Sequence, residues 1–268
     1  MSKIQNKFSE LKSKKEKALI AYIMVGFPNE TGTMSAIRGL IKGGADIIEL
    51  GFPFSDPIAD GPVIQNASTI SLSKGTKLQQ FFKIIKKIRK ETNIPLIIMT
   101  YTNILYRQGY NEFMKNAKKA GIDGLILPDM SVEESNNYLD AAKRNKMDTI
   151  FLISPNTSKE RIKKILKATS GFLYLVSIFG TTGMRTKIQQ YTIDAIKKTK
   201  KIVNKKIPIG IGFGVYTPED AKKFLSFGVD AIIVGSAFLR LIEHTPSNKI
   251  ESKITSFTKK MKNTTRNR

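Results

Sequence analysis

Ile47-Ile48-Glu49-Leu50-Gly51-Phe52-Pro53-Phe54-Ser55-Asp56-Pro57-Ile58-Ala59-Asp60-Gly61-Pro62 starts as an apolar strand and runs into a loop punctuated by prolines. A carboxylate sits inside the strand. Burying an unpaired carboxylate is costly, so Glu49 among Ile47, Ile48 and Leu50 points to a site more than to a core. The loop carries two further acids, Asp56 and Asp60. Its prolines stiffen it, and a stiff loop can hold a second carboxylate at a fixed distance from the first.

The same kind of apolar run recurs along the chain. Strands are expected at 19–25, 47–52, 96–101, 124–127, 149–153, 172–176, 207–212 and 231–234. Each is short, rich in apolar residues and bounded by turn formers, as buried strands are. Between them, helical periodicity predicts helices at 33–42, 78–91, 111–119, 135–144, 159–168, 192–203 and 218–227. Strands alternating with helices imply parallel pairing under helical cover. Near-continuous apolar strands suit a sheet buried on both faces. Eight such units in about 250 residues match a (β/α)₈ barrel, with a doubly wound open sheet as the alternative. An extra helix is expected at 8–17, and the polar, basic tail after Asn263 is expected to fray. No linker divides the chain, so residues 1–268 read as one domain.

Three Gly-Xaa-Asp phrases repeat: Gly44-Ala45-Asp46, Gly121-Ile122-Asp123 and Gly228-Val229-Asp230. Each ends a helix and opens a strand, where glycine tolerates a left-handed cap.

Composition narrows the function. The 41% hydrophobic content of 268 residues allows a sizeable core. Cysteine is absent, which excludes disulfides and thiolate metal sites. The first residues have no signal-peptide character, and no run of about 18 apolar residues appears; a cytoplasmic location is the expectation. The net charge of +23 has two readings. One is attraction to nucleic acid or another anionic surface. The other is lysine on the wet faces of amphipathic helices, as in 82–88 and 161–167, and the helical spacing of the intervening isoleucines favours it.

In such a barrel, function gathers where strands end and the following loops begin. Two carboxylates there can divide acid and base work if their surroundings separate their pKa values. Asp60 also reads as a turn former or helix cap, and Glu49 as half of an interior ion pair, although no predicted strand carries a lysine. Gly210-Ile211-Gly212-Phe213-Gly214 follows the seventh strand, and Gly235-Ser236-Ala237 follows the eighth and opens a helix. Glycine-rich backbone and a helix N-terminus suit an anion such as phosphate. Gly180-Thr181-Thr182-Gly183, after the sixth strand, is a candidate closing loop. His244, the single histidine, reads as surface, and metal-ligand spacings are missing. Tyr101 and Tyr174 lie at strand ends, where either pocket or core would accept them.

The stretch from Glu49 to Gly61 resembles the signature of the tryptophan synthase α chain family. Pro128-Asp129 followed by Glu133-Glu134, Ser154-Pro155-Asn156, Tyr174 through Gly183, Gly212-Phe213-Gly214 and Gly235-Ser236-Ala237 extend the likeness over nearly the whole chain. The resemblance implies a lyase: retro-aldol cleavage of indole-3-glycerol phosphate to indole and glyceraldehyde 3-phosphate. It implies Glu49 as general acid and base, and Asp60 as the partner of the indole N–H. Tyr22, Met99, Tyr101 and Tyr174 carry over to the indole pocket. Thr182, Gly183, Phe213, Gly214, Gly235 and Ser236 carry over to loop closure or the phosphate.

It also implies a β-chain partner in an α2β2 tetramer, met through Pro53, Asp56, Pro57, Asn103 and Asp129. Pyridoxal phosphate would belong to that partner, with no cofactor and no metal in this chain. Ile178 stands where some members carry arginine, Met24 where threonine is common, Phe27 where an acid or another aromatic occurs, and Tyr22 where Phe is frequent. Two rival functions remain distinguishable. A Schiff-base aldolase or other phosphosugar enzyme on this fold would yield no indole, and a nucleic-acid binder would show steep salt dependence.

Overall fold

The apolar runs form strands, and every strand pair is parallel. The computed structural model describes residues 1–177, 188–212 and 214–266. In chain order its elements are α1 (Lys3–Ser13), β1 (Ala18–Met24), α2 (Glu30–Gly43), β2 (Ile47–Gly51), α3 (Pro62–Ser73), α4 (Leu78–Glu91), β3 (Leu96–Met99), α5 (Thr102–Gln108), α6 (Tyr110–Ala120) and β4 (Gly124–Ile126). Then follow α7 (Asn136–Arg144), β5 (Asp148–Ile150), β6 (Leu152–Ile153), α8 (Lys159–Ala168), β7 (Leu173–Val176), α9 (Gln190–Val203), β8 (Ile209–Gly212), α10 (Pro218–Ser226), β9 (Ala231–Val234), α11 (Ser236–Glu243) and α12 (Ile250–Thr265).

The strand order is β5-β4-β3-β2-β1-β9-β8-β7-β6. Its two ends, β5 and β6, are one expected strand interrupted at the buried Phe151. The sheet therefore curls round on itself as a (β/α)₈ barrel with α1 as the extra N-terminal helix, and the open-sheet alternative is excluded. The helices turn apolar faces inward. In α4 these are Phe81, Ile84, Ile85 and Ile88, all buried, each contributing about 1.5–3 kcal/mol by burial. The intervening lysines stay outside.

The Gly-Xaa-Asp phrases have a common job. Gly44, Gly121 and Gly228 take φ of 89°, 101° and 81°, the left-handed region. The aspartate that follows turns back to the start of the preceding strand. Asp46 accepts from Leu19 N at 2.7 Å, Asp123 from Leu96 N at 3.0 Å and Asp230 from Ile209 N at 3.1 Å. Each also meets a cation: Lys262 at 2.9 Å, Arg89 at 2.8 Å and Lys17 at 3.1 Å, respectively.

Both ends of the chain depart from expectation. The first helix spans Lys3–Ser13 instead of 8–17, because Ser2 and Gln5 form a reciprocal capping box. The tail does not fray at Asn263. Helix α12 continues to Thr265, which is buried, and Lys17 N donates to Thr265 O at 2.8 Å. The buried Lys262 ammonium meets both Asp46 and Glu16 and fastens the helix. Helices α3 and α5 were not expected. No helix among the described residues is long and apolar enough to cross a membrane.

Candidate active site

Glu49 lies in the middle of β2 and pairs in register with Tyr22 of β1. It is 1% exposed, and its Oε2 has no partner. Asp60, 4% exposed, ends the loop that follows, and its Oδ1 is likewise unpartnered. Unsatisfied buried oxygens of this kind cost about 1–3 kcal/mol each.

The loop is pinned from two sides. Ser68 of α3 exchanges hydrogen bonds with Phe54, its Oγ receiving from Phe54 N and donating to Phe54 O, both at 2.9 Å. Tyr101, just before α5, stacks on Phe54 at 5.0 Å between centroids and accepts from Ala59 N at 3.1 Å. Asp60 itself is fixed through its backbone: its N–H donates to Pro57 O at 3.0 Å, and its carbonyl accepts from Gln65 Nε2 at 2.9 Å. Gly61 and Pro62 then open α3.

These placements separate the two acids electrically. Burial, and next the charge of Asp60, push Glu49 up to about 8. Burial also raises Asp60, but the Tyr101 hydroxyl beside it works the other way and leaves it at about 6. Glu49 therefore keeps its proton to higher pH than Asp60 does. Burial and both carboxyls raise the Tyr22 and Tyr174 phenols well above their ordinary values, so each keeps its proton.

A cleft opens at this end of the barrel. Among the expected residues, Tyr22, Glu49, Met99, Tyr174, Gly214, Gly235 and Ser236 line it. Asp60 and Tyr101 are not among its lining residues; the charge of Asp60 acts on Tyr22 and Tyr174. Ile64, Val215, Tyr216 and Ile233 complete the lining; ordinary apolar residues give no sign in a sequence of which way they face. Gly214 has φ of 92°, in the left-handed region. Helix α11 begins at Ser236 with Gly235 as its N-cap and no side-chain cap, so no side chain there accepts from its first amides. Thr182, Gly183, Phe213 and Ile178 lie outside the described residues.

The expected contact residues fall into two groups. Asp56, Asn103 and Asp129 are exposed and Pro57 half-buried, whereas Pro53 is buried beneath the loop and presents no surface of its own. Asp129 already accepts from Thr102 N and Oγ1 at 3.0 Å, capping α5. Exposed apolar groups stand nearby on the same two connections: Ile58, 77% exposed, and Tyr106, 74% exposed. His244 is exposed, as expected. The described strands contain no lysine. No cluster of metal-binding side chains occurs among the described residues.

The family model of the tryptophan synthase alpha chain matches residues 8–266. The alpha chain of Methanosarcina barkeri is 46% identical over 241 residues, covering 90% of this chain and 89% of that one. The alpha chain of Acaryochloris marina is 43% identical over 263 residues, 98% and 97% of the two chains. Among solved structures, Mycobacterium tuberculosis tryptophan synthase superposes with a TM-score of 0.90 at 29% identity, covering 100% and 99%. The Legionella pneumophila alpha chain does so with 0.88 at 31%, covering 98% and 97%. With the buried carboxyl pair in the barrel mouth and a match that runs nearly end to end, this chain belongs to the tryptophan synthase alpha chain family, the lyase subunit of tryptophan biosynthesis.

Proposed function

We propose that Glu49 and Asp60 carry the retro-aldol cleavage of indole-3-glycerol phosphate in this chain. The observation that supports it most is the pair of buried carboxyls, Glu49 in β2 and Asp60 in the loop after it, each with an oxygen left without a partner; burial pushes Glu49 up to about 8 and Asp60 only to about 6. Such a split assigns an acid and a charged stabiliser at the same pH. Protonated Glu49 gives its proton to the indole ring carbon that bears the glycerol chain. Positive charge develops on the ring nitrogen, and the Asp60 carboxylate accepts its N–H and stabilises that charge. Glu49, now a carboxylate, takes the proton of the adjacent glycerol hydroxyl. The carbon–carbon bond breaks, its electron pair restores the aromatic ring, and the hydroxyl carbon becomes the aldehyde. Indole and glyceraldehyde 3-phosphate leave, and Glu49 is protonated as at the start.

Tyr22, Met99 and Tyr174 form the wall for the flat ring, and Tyr101 holds the loop that carries Asp60. Gly214, Gly235 and Ser236 hold the phosphate with the amides at the start of α11, joined by Phe213, Thr182 and Gly183. The left-handed backbone at Gly214 and the uncapped helix start favour this assignment. The whole of residues 1–268 works as one domain in the cytoplasm. Its partner is a β chain, in an α2β2 tetramer; the likeness to the tryptophan synthase complex of Pyrococcus furiosus (TM-score 0.84, 33% identity) supports a partner. Asp56, Pro57, Asn103 and Asp129 face that partner. Pyridoxal phosphate resides in the β chain, and this chain uses no cofactor.

The test is indole release by the purified chain, with and without its β chain. Glu49→Gln and Asp60→Asn are each expected to lower turnover by about a hundredfold or more with unchanged circular dichroism. Wild-type turnover in either variant refutes the roles.

A further inference from the structure

Two tyrosines in the barrel mouth are built alike. Tyr22 of β1 pairs with Glu49 of β2, and its hydroxyl fills the place a side chain would take at Gly51, two residues on. Tyr174 of β7 pairs with Gly210 of β8, and its hydroxyl fills the place of a side chain at Gly212, again two residues on. Residues two apart on a strand share a face. A side chain at position 51 would stand next above Glu49 inside the barrel, and the Tyr22 hydroxyl stands there instead. The ring also uses room left by Gly235, where a Cβ would lie 3.2 Å from Tyr22 Cδ1. Tyr22 and Glu49 line the same cleft, and Glu49 Oε2 is buried without a partner.

We propose that Tyr22 is a positioning residue whose hydroxyl donates to the Glu49 carboxylate while that carboxylate is without its proton. The inference rests on the lyase reading above and deepens it. A phenol donor stabilises the charged form of Glu49 more than the neutral acid. It makes the acid stronger when the proton must leave, and it holds the carboxylate in place to receive the glycerol proton. Tyr22 contributes a hydrogen bond only; its own proton stays, because burial and the neighbouring carboxyls oppose ionisation. Among the described residues, the other titratable groups facing this pair are Asp60 from the loop, Tyr101 from the start of α5, Tyr174 from β7 and Tyr216, which lines the same cleft after β8.

Tyr22→Phe keeps the ring and removes the hydroxyl. In the complex with its β chain, the alkaline limb of kcat/KM, set by loss of the Glu49 proton, is expected to move up by about one pH unit. The expected drop in kcat is about tenfold, with KM nearly unchanged. A role in packing alone leaves the pH profile where it is. An unmoved alkaline limb, or a shift confined to the acid limb set by Asp60, overturns the proposal. A second readout does not need turnover. The infrared carboxyl band of protonated Glu49, assigned by its loss in Glu49→Gln, should titrate at higher pH in Tyr22→Phe; an identical midpoint overturns the proposal. Absence of indole release by the wild-type complex would sink the lyase reading instead, and the infrared comparison would still decide whether Tyr22 serves Glu49.

Discussion

The Tyr101 hydroxyl accepts the Ala59 N–H at 3.1 Å and lies beside the Asp60 carboxyl, whose charged form it favours. One side chain thus holds the catalytic loop in place and tunes its acid. Tyr101→Phe removes both effects. Asp60 should then titrate above its present value of about 6. The acid limb of kcat/KM moves to higher pH, so the loss of activity is greater at pH 6 than at pH 8. A pH–rate profile of the variant checks this, and a uniform loss at all pH values would contradict it.

The two acids set a bell. On the proposed roles, activity needs Asp60 ionised and Glu49 protonated. As pH rises through about 6, Asp60 loses its proton and kcat/KM climbs. As pH rises through about 8, Glu49 loses its proton and kcat/KM falls. The maximum lies between, and the two apparent values belong to the pair. A single-limbed profile over this range would show that only one carboxyl matters.

At the opposite end of the barrel, Lys262→Met should destabilise the fold by about 3–5 kcal/mol, because Asp46 would be left as a buried charge without its ammonium. Burial already raises Asp46 above its ordinary value, and the lysine opposes that shift. Without the lysine it rises further. The folded state then binds the Asp46 proton more tightly than the unfolded chain does, so stability falls as pH rises through the raised value. The gap from wild type should be wider at pH 8 than at pH 5. Urea unfolding followed by circular dichroism measures it, and a gap independent of pH would remove Asp46 from the explanation.

Ile58 and Tyr106 are large apolar groups left in water on the two connections that face the proposed partner. Groups of this kind are natural anchors for a protein contact. Ile58→Lys and Tyr106→Ala should each weaken the activation of indole release by the β chain at least about tenfold, which is about 1.4 kcal/mol. The isolated chain should unfold at the same urea concentration as wild type. Titration of the β chain into each variant reads the effect. Unchanged half-saturation in both would exclude these side chains from the contact.

Much of this was legible in the sequence because the relevant residues break a pattern. Glu49 is conspicuous among Ile47, Ile48 and Leu50, and Asp60 is conspicuous at the end of a proline-stiffened loop. The strands announced themselves by apolar runs, and Leu78–Glu91 by alternating lysine and isoleucine. Helix α3 was hidden because Pro62 and a polar mixture of Ser, Thr, Asn and Gln conceal its apolar stripe. The end of α12 was misjudged because Lys262 looks like any other lysine in a basic tail. Only Asp46 and Glu16, far away in sequence, give it a reason to be buried. Ile64 on α3, Val215 in the loop after β8 and Ile233 on β9 reach the cleft through how the elements pack, and the exposure of Ile58 and Tyr106 depends on what fails to cover them. Neither property is written locally in the chain.

Strand β2 is five residues long, and the acid just before it and the acid at its centre answer to different demands. Asp46, one position before it, ties down the floor of the barrel with Leu19 and Lys262. Glu49, three positions later, looks into the mouth. Selection acting on durability and selection acting on chemistry therefore fall on separate side chains of one short segment. Such a protein can acquire a new rim, or a new appetite for substrates, while its foundations go on being inherited unchanged.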